Sequence, residues 1–185
     1  MNKYLLFTSV FLLAACGETN SSWAVSILNR PLESNSVITA QPYIGLDERI
    51  HRAELKELLD VDPVRTEWCA AFVNAVLELD GIPGSDSVSD VPLMARSFLS
   101  WGERVESADI QRGDVVVFPR GNQGWQGHVG FYVGRHASGK WVILGGNQAN
   151  SVRYDLYDPK RVLGIRRGSK LIKSTGSLPT WLAKY

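Results

Sequence analysis

The chain has 185 residues, of which 44% are hydrophobic and 21% charged, with a formal net charge of +1 at pH 7. This length suits one ordinary domain with a sizeable core, and a charge near zero argues against nucleic acid as a partner. The two cysteines and three histidines are scattered without the spacing of a metal site. We therefore expect a monomer that needs no metal and no other cofactor.

The N-terminal 15 residues have the pattern of an export signal. Lys3 precedes an apolar run at 4–13 that is too short to span a membrane, and Leu-Ala-Ala lies directly before Cys16. The segment resembles a bacterial lipoprotein signal, which implies acylation of Cys16 and anchoring in a lipid bilayer. Because Gly17 follows in place of aspartate, we expect the outer membrane, facing the periplasm, in a Gram-negative cell. An ordinary secretory signal is the alternative.

The next segment, 16–42, is rich in Ser, Asn, Thr and Pro and has no sustained hydrophobic period. This composition is typical of a tether between a lipid anchor and a domain. We expect the folded domain to occupy 43–170 and a tail to follow at 171–185.

Helical patterns come first in the predicted domain. Residues 47–59 have the pattern of a short amphipathic helix. The second predicted helix has Thr66 as its N-cap, an apolar stripe that starts at Cys69, and an end near Gly81. A third helix is predicted at 93–101.

Beyond the third helix the pattern changes to short strands separated by turns. The segments that indicate strands are RGDVVVFPRG, GHVGFYVG, KWVILGGN, VRYDLY and RVLGIRR. Because helices precede antiparallel strands, the predicted class is α+β, with N-terminal helices packed on a meander sheet.

Cys69 is the cysteine that a lipid-modified chain would keep as a thiol. With Thr66 as N-cap it occupies the third helical position, where backbone N–H groups have no intrahelical partner. The positive end of the helix dipole favours the thiolate, which is the nucleophilic form. Cysteine also serves as a small buried hydrophobe, so a packing role is the alternative. A base within hydrogen-bond reach would favour catalysis.

Among the three histidines, His128 is the candidate base. His51 lies among charges on the first predicted helix and His136 in a predicted surface turn, so both are expected to be solvated. His128 begins a strand and shares a face with Gly130, whereas the apolar residues of that strand face the core. Glycine there would let a substrate or another backbone come close.

The hairpin after His128 determines which residue lies opposite the imidazole. A four-residue loop at 136–139 places Asn147 there, a three-residue loop places Gln148, and a two-residue loop places Ala149. On the first register, the amide oxygen of Asn147 could hold the imidazole in one tautomer. Asn147 follows two glycines, so a turn-forming role is the alternative.

Four blocks, EWCAAFVN, RGDVVVF, GHVGFYVG and LGGNQ, occur in this order. They closely resemble a branch of the NlpC-type and CHAP-type cysteine hydrolases of bacterial cell walls, from about Tyr43 to Arg167. The resemblance implies a papain-like fold and hydrolysis of amide bonds in peptidoglycan, at a stem-peptide bond. It also implies Cys69 as the nucleophile, His128 as the general base and then acid, and Asn147 as the residue that orients the imidazole.

The chain departs from this branch at Glu67, where proline is common, and we expect the carboxylate to point outward. Candidate substrate-binding residues are Trp68, Trp125 and Gln148, although Trp68 could instead be a buried anchor. The loop at 121–127 could form a cleft wall or simply connect strands. Two other functions stay open: a thioester-forming acyltransferase on the same fold, and a non-catalytic lipoprotein that binds peptidoglycan.

Overall fold

The computed structural model of the protein describes residues 36–169. The predicted signal peptide, Cys16, most of the predicted tether and the predicted tail at 171–185 lie outside the described residues. Within the described part of the chain, no helix is both long and apolar enough to cross a membrane.

In residues 36–169, three α-helices precede the sheet. They are α1 (Ser36–Ala40), α2 (Arg52–Leu59) and α3 (Cys69–Leu79). Short 3₁₀ helices also occur, at Gln41–Tyr43, Ser85–Ser87, Ala95–Ser100 and Pro159–Arg161.

Helix α1 belongs to the folded domain, although the sequence assigned its residues to the tether. Val37 and Ala40 are fully buried in the main core. The Ser36 hydroxyl donates a 2.6 Å hydrogen bond to Asp80, directly after α3. The domain therefore includes residues that precede its predicted start at Tyr43.

The predicted first and third helices are shorter in the structure. Asp47 accepts hydrogen bonds from the backbone N–H groups of Arg49 and Ile50, and this turn delays the start of α2 to Arg52. The segment predicted as the third helix contains the 3₁₀ helix Ala95–Ser100.

The start of α3 also differs from the prediction, and its end agrees. Trp68 is the N-cap residue in place of Thr66, so Cys69 is the first residue of the helix and not the third. Gly81 follows the helix with a φ of 70°, a left-handed conformation that glycine adopts readily at helix C-termini.

Six strands of the described residues form one sheet with the order β1-β6-β2-β3-β4-β5, and all neighbouring pairs are antiparallel. Strands β2 to β5 form the predicted meander, whereas β6 returns to the other side of β2 and pairs with a short β1 that was not predicted. The α+β class is therefore confirmed. The strands are β1 (Glu103–Arg104), β2 (Val115–Pro119), β3 (Gly127–Arg135), β4 (Trp141–Gln148), β5 (Ser151–Tyr157) and β6 (Gly164–Arg167).

Both faces of the central strands β2, β3 and β4 are buried. The helices pack on one face, where Val129 and Phe131 of β3 join Phe72 of α3 in the main core. A smaller apolar cluster on the other face includes Phe118 and Trp141. The face that holds His128 is therefore covered by side chains, where the sequence predicted close approach of a substrate or another backbone.

The β3–β4 hairpin has a longer loop than predicted. Arg135 pairs with Trp141, so the loop comprises 136–140. A β-bulge within β3 then shifts the register by one residue. As a result, Phe131 pairs with Leu144, which is the pairing expected from a four-residue loop.

Candidate active site

Cys69 lies at the floor of a cleft where α3 meets the sheet. The residue is 3% exposed and lines a cavity of about 330 Å³ together with Arg120, Trp125 and Gly127. Cys69 packs in the main core with Val129, the residue after His128, and the backbone N–H of Val129 acts to lower the pKa of the thiol. This contact brings the thiol against the start of β3.

Gly146 of β4 permits α3 to pack this closely on the sheet. A Cβ atom there would lie 2.5 Å from Cζ3 of Trp68 and 2.6 Å from Cβ of Phe72. Trp68 is fully buried, and its indole N–H donates to Glu48 at 3.2 Å. The structure thus corrects the expectation that Trp68 binds substrate: it anchors the start of α3 from below, and its ring does not line the cleft.

His128 is held in a buried pocket at the start of β3. Its Nε2 lies 3.2 Å from Oε1 of Gln148. Its ring stacks on Tyr157 with centroids 5.4 Å apart and planes 7° from parallel. Gly145 lies beside the ring, since a Cβ atom there would be in ordinary contact with Nε2 of His128 at 3.4 Å. The imidazole therefore has a defined orientation.

Gln148 determines which ring nitrogen of His128 carries the proton. The Gln148 amide N–H₂ group donates to the backbone carbonyls of Ile143, Gly145 and Arg153. Because carbonyl oxygens only accept, the Gln148 Oε1 atom must be the one that faces His128. An amide oxygen also only accepts, so Nε2 of His128 is protonated and Nδ1 keeps its lone pair.

Asn147 is not the partner of His128 in the structure. It adopts a φ of 54°, and the pairing of β4 with β5 is irregular between Gly145 and Gln148. This irregularity turns Gln148 towards His128, while the Asn147 amide donates to Glu67 at 2.8 Å. Gln148 was one of the predicted alternatives for this position. Its placement follows from a distortion within β4 and not from a three-residue loop.

Burial controls the protonation state of both candidate catalytic groups. Burial raises the pKa of the Cys69 thiol, and the Val129 N–H and the Arg120 guanidinium oppose this effect only in part. Burial, aided by the charge of Arg120, lowers the pKa of His128 to about 4 even though the Gln148 hydrogen bond acts in the opposite direction. At neutral pH the free protein thus holds a thiol and a neutral imidazole. The expected resting thiolate is corrected, because loss of solvation outweighs the backbone N–H groups of Val129 and Ala70 and the charge of Arg120.

The low pKa of His128 makes folding stability depend on pH. An imidazole in the unfolded chain titrates near 6.5, so between that pH and about 4 the unfolded state binds more protons than the folded state. Stability therefore falls as the pH falls through this window. We expect His128 to account for a loss of about 2–3 kcal/mol in the free energy of unfolding between pH 7.5 and 4.5.

Urea unfolding of wild type and His128→Gln at the two pH values measures this loss. The variant should lose about 2–3 kcal/mol less than wild type on acidification. His136→Gln, which removes an exposed imidazole from the hairpin loop, should follow wild type. Equal losses in wild type and His128→Gln would contradict the assignment.

Two further residues that the sequence singled out, Trp125 and Glu67, lie at the cleft. Trp125 is 61% exposed and lines the cleft with Gln126 and Gly127, so the loop at 121–127 does form a cleft wall. The Glu67 side chain is 80% exposed and points outward as expected.

Sequence reasoning missed Arg120. Its guanidinium contacts Glu67 at 3.5 Å, and its charge affects both Cys69 and His128. The only available signal was its position directly after a predicted buried strand. Within residues 36–169, no group of three or more His, Cys, Asp and Glu side chains is placed to hold a metal ion.

Comparisons with known proteins find structural neighbours of this chain but no relative in sequence. No family model matches it, and no curated protein matches it in sequence. One of the solved structures that it resembles is an NlpC/P60 family protein from Bacillus cereus ATCC 10987, with 18% sequence identity and a TM-score of 0.47. The match covers 72% of this chain and 39% of that protein. The function is therefore inferred from the geometry of the site.

Proposed function

We propose that this protein is a cysteine hydrolase that cleaves amide bonds in peptidoglycan, within the stem peptide. Cys69 is the nucleophile, His128 the general base and acid, and Gln148 the residue that orients the imidazole. The observation that supports the proposal most strongly is the Gln148–His128 hydrogen bond at 3.2 Å. It leaves Nδ1 of a neutral imidazole as the proton acceptor, at the start of β3, where Val129 packs with Cys69 in the main core.

The proposed reaction proceeds through a thioester. Cys69 Sγ attacks the amide carbonyl carbon as its proton moves to His128, and the backbone N–H of Cys69 stabilises the oxyanion. The C–N bond then breaks, and the His128 imidazolium gives its proton to the leaving amine. In the second half, His128 takes a proton from water, and the hydroxide attacks the thioester. The C–S bond then breaks, the Cys69 sulfur takes back the proton from the His128 imidazolium, and the carboxylic acid leaves.

A neutral resting pair is compatible with this reaction. The proton need only move from sulfur to imidazole as the C–S bond forms, so no thiolate has to persist in a site where burial disfavours charge. A base with a pKa of about 4 remains unprotonated over the pH range of most cells. The acid limb of the activity profile in free enzyme is therefore expected well below the ordinary pKa of histidine.

The location of the protein is a further part of the proposal and depends on the sequence pattern around Cys16. An acylated Cys16 would hold the domain at a membrane, facing the periplasm from the outer membrane in a Gram-negative cell. A tethered hydrolase would then act on wall material close to that membrane.

The function is tested by incubating purified peptidoglycan with the protein and analysing the released fragments by mass spectrometry. Hydrolysis predicts fragments with one new amine and one new carboxylate at the cleaved bond. Addition of a free amine distinguishes an acyltransferase, because the acyl group would then appear on the added amine. The proposal would be contradicted if the protein cleaved none of several peptidoglycans that differ in their stem peptides.

A further inference from the structure

We propose that Arg120 binds a carboxylate of the substrate, so that the enzyme selects peptides with a free carboxylate near the scissile amide, and that Glu67 occupies Arg120 when the cleft is empty. The inference rests on the proposed hydrolase function and specifies its substrate class.

Arg120 lies between two cavities. It follows β2 and lines both the cleft that contains Cys69 and a second cavity of about 240 Å³. Glu67, two residues before Cys69 in the chain, also lines both. The two cavities therefore meet at the Arg120–Glu67 pair. A peptide that extends from the thiol into the second cavity must pass over this pair.

The contact between Arg120 and Glu67 is weak enough to be exchanged. One guanidinium nitrogen lies 3.5 Å from one carboxylate oxygen, and the side chains are 43% and 80% exposed. Strong guanidinium–carboxylate pairs form two hydrogen bonds at about 2.7–2.9 Å. An exposed pair with a single long contact contributes little to stability. A substrate carboxylate could replace Glu67 with little loss of stability.

The same fold contains another guanidinium–carboxylate pair, which is short and bidentate and has a buried carboxylate. Arg167 donates to both carboxylate oxygens of Asp114 at 2.7 Å, and Asp114 is buried. That pair joins β6 to the turn before β2 and has the geometry of a structural contact. Arg120 has no comparable fit with Glu67, although its planar fork is suited to bidentate binding of a carboxylate.

The second cavity supplies further hydrogen-bond donors around Arg120. Its lining includes Arg65 and the amides of Asn147 and Asn150. Two carboxylates also line it, those of Glu48 and Glu67. Glu48 is bound to the indole N–H of Trp68. The Asn147 amide now donates to Glu67 and would be freed as a donor when Glu67 is displaced.

The test uses two forms of one synthetic stem peptide, with all carboxyl groups free or all converted to carboxamides. Wild type should show a kcat/KM at least about tenfold higher for the free-acid peptide, since hydrogen bonds to a charged group contribute about 1.5–3 kcal/mol. Arg120→Gln should lower kcat/KM for this peptide by about 10–100-fold and change it less than about threefold for the carboxamide peptide.

Two further variants separate recognition from structure and from overall charge. Glu67→Gln removes the competing carboxylate, so it should lower KM for the free-acid peptide and retain the preference. Arg112→Gln makes the same charge change as Arg120→Gln at the opposite end of β2 and should retain wild-type kinetics. Equal loss of activity on both peptides in Arg120→Gln would indicate a structural pair and overturn the inference.

Binding of the two peptides to Cys69→Ala, measured by calorimetry, makes the test independent of turnover. Tighter binding of the free-acid peptide, abolished by adding Arg120→Gln, supports carboxylate recognition even if wild type cleaves neither peptide and the hydrolase proposal fails. Cleavage of both peptides with equal kcat/KM, or binding without preference, overturns the inference and leaves the hydrolase proposal intact.

Discussion

Replacing Cys69 with alanine is expected to reduce release of peptidoglycan fragments by about 10⁴-fold or more, to the uncatalysed level, because no other group on the described cleft can form the thioester. The side chain is small and buried, so the variant should lose only about 1 kcal/mol of stability. Fragment release followed by mass spectrometry, together with thermal unfolding, measures both effects.

Cys69→Ser is the matched control for Cys69→Ala. It keeps the shape of the side chain and a hydrogen-bonding group, but the hydroxyl is a far weaker nucleophile with a neutral imidazole as its only base. It should fold like wild type and be almost as inactive as Cys69→Ala. Fragment release by Cys69→Ala at a rate near that of wild type would rule out the nucleophile assignment.

Gln148→Ala is expected to lower kcat by about 10²-fold or more, with a smaller change in KM, because the imidazole would lose the acceptor that fixes its tautomer. The variant should also lose about 1–3 kcal/mol of stability, since the hydrogen bonds from the Gln148 amide to the backbone carbonyls of β4 and β5 would be lost. Kinetics on a defined stem peptide and urea unfolding separate the two effects.

The matched control is Asn147→Gly. It removes the neighbouring amide, and glycine adopts the positive φ of this position without strain. Because the Asn147 side chain lines the second cavity, where the substrate is proposed to bind, the control is read on kcat and not on KM. Its kcat should stay within about threefold of wild type. Nitrogen NMR of the His128 ring should find the proton on Nε2 in wild type and a mixture of tautomers in Gln148→Ala. A hundredfold loss in Asn147→Gly with near-normal kcat in Gln148→Ala would reverse the roles of the two residues.

The sequence could predict features that depend on local patterns. The apolar stripe from Cys69 and the turn residue Gly81 predicted α3 to within a few residues, because both act through neighbours in the chain. Alternation and turn signals predicted β2 to β6 for the same reason. The placement of Cys69 at the start of a helix and of His128 at the start of a strand followed from these local patterns.

The sequence could not predict features that depend on contacts between distant residues. The choice of Gln148 over Asn147 results from an irregularity in the pairing of β4 with β5, which loop length alone does not encode. The Asn147–Glu67 hydrogen bond joins residues 80 positions apart.

Residue types and local periods thus determined the α+β class, the helix that carries the thiol and the strand that carries the imidazole. Only the tertiary structure decided the protonation state of both groups and the residue that orients His128. Solvation is a property of the assembled core: Cys69 and His128 are each 3% exposed, and this burial has the largest effect on the pKa of each group.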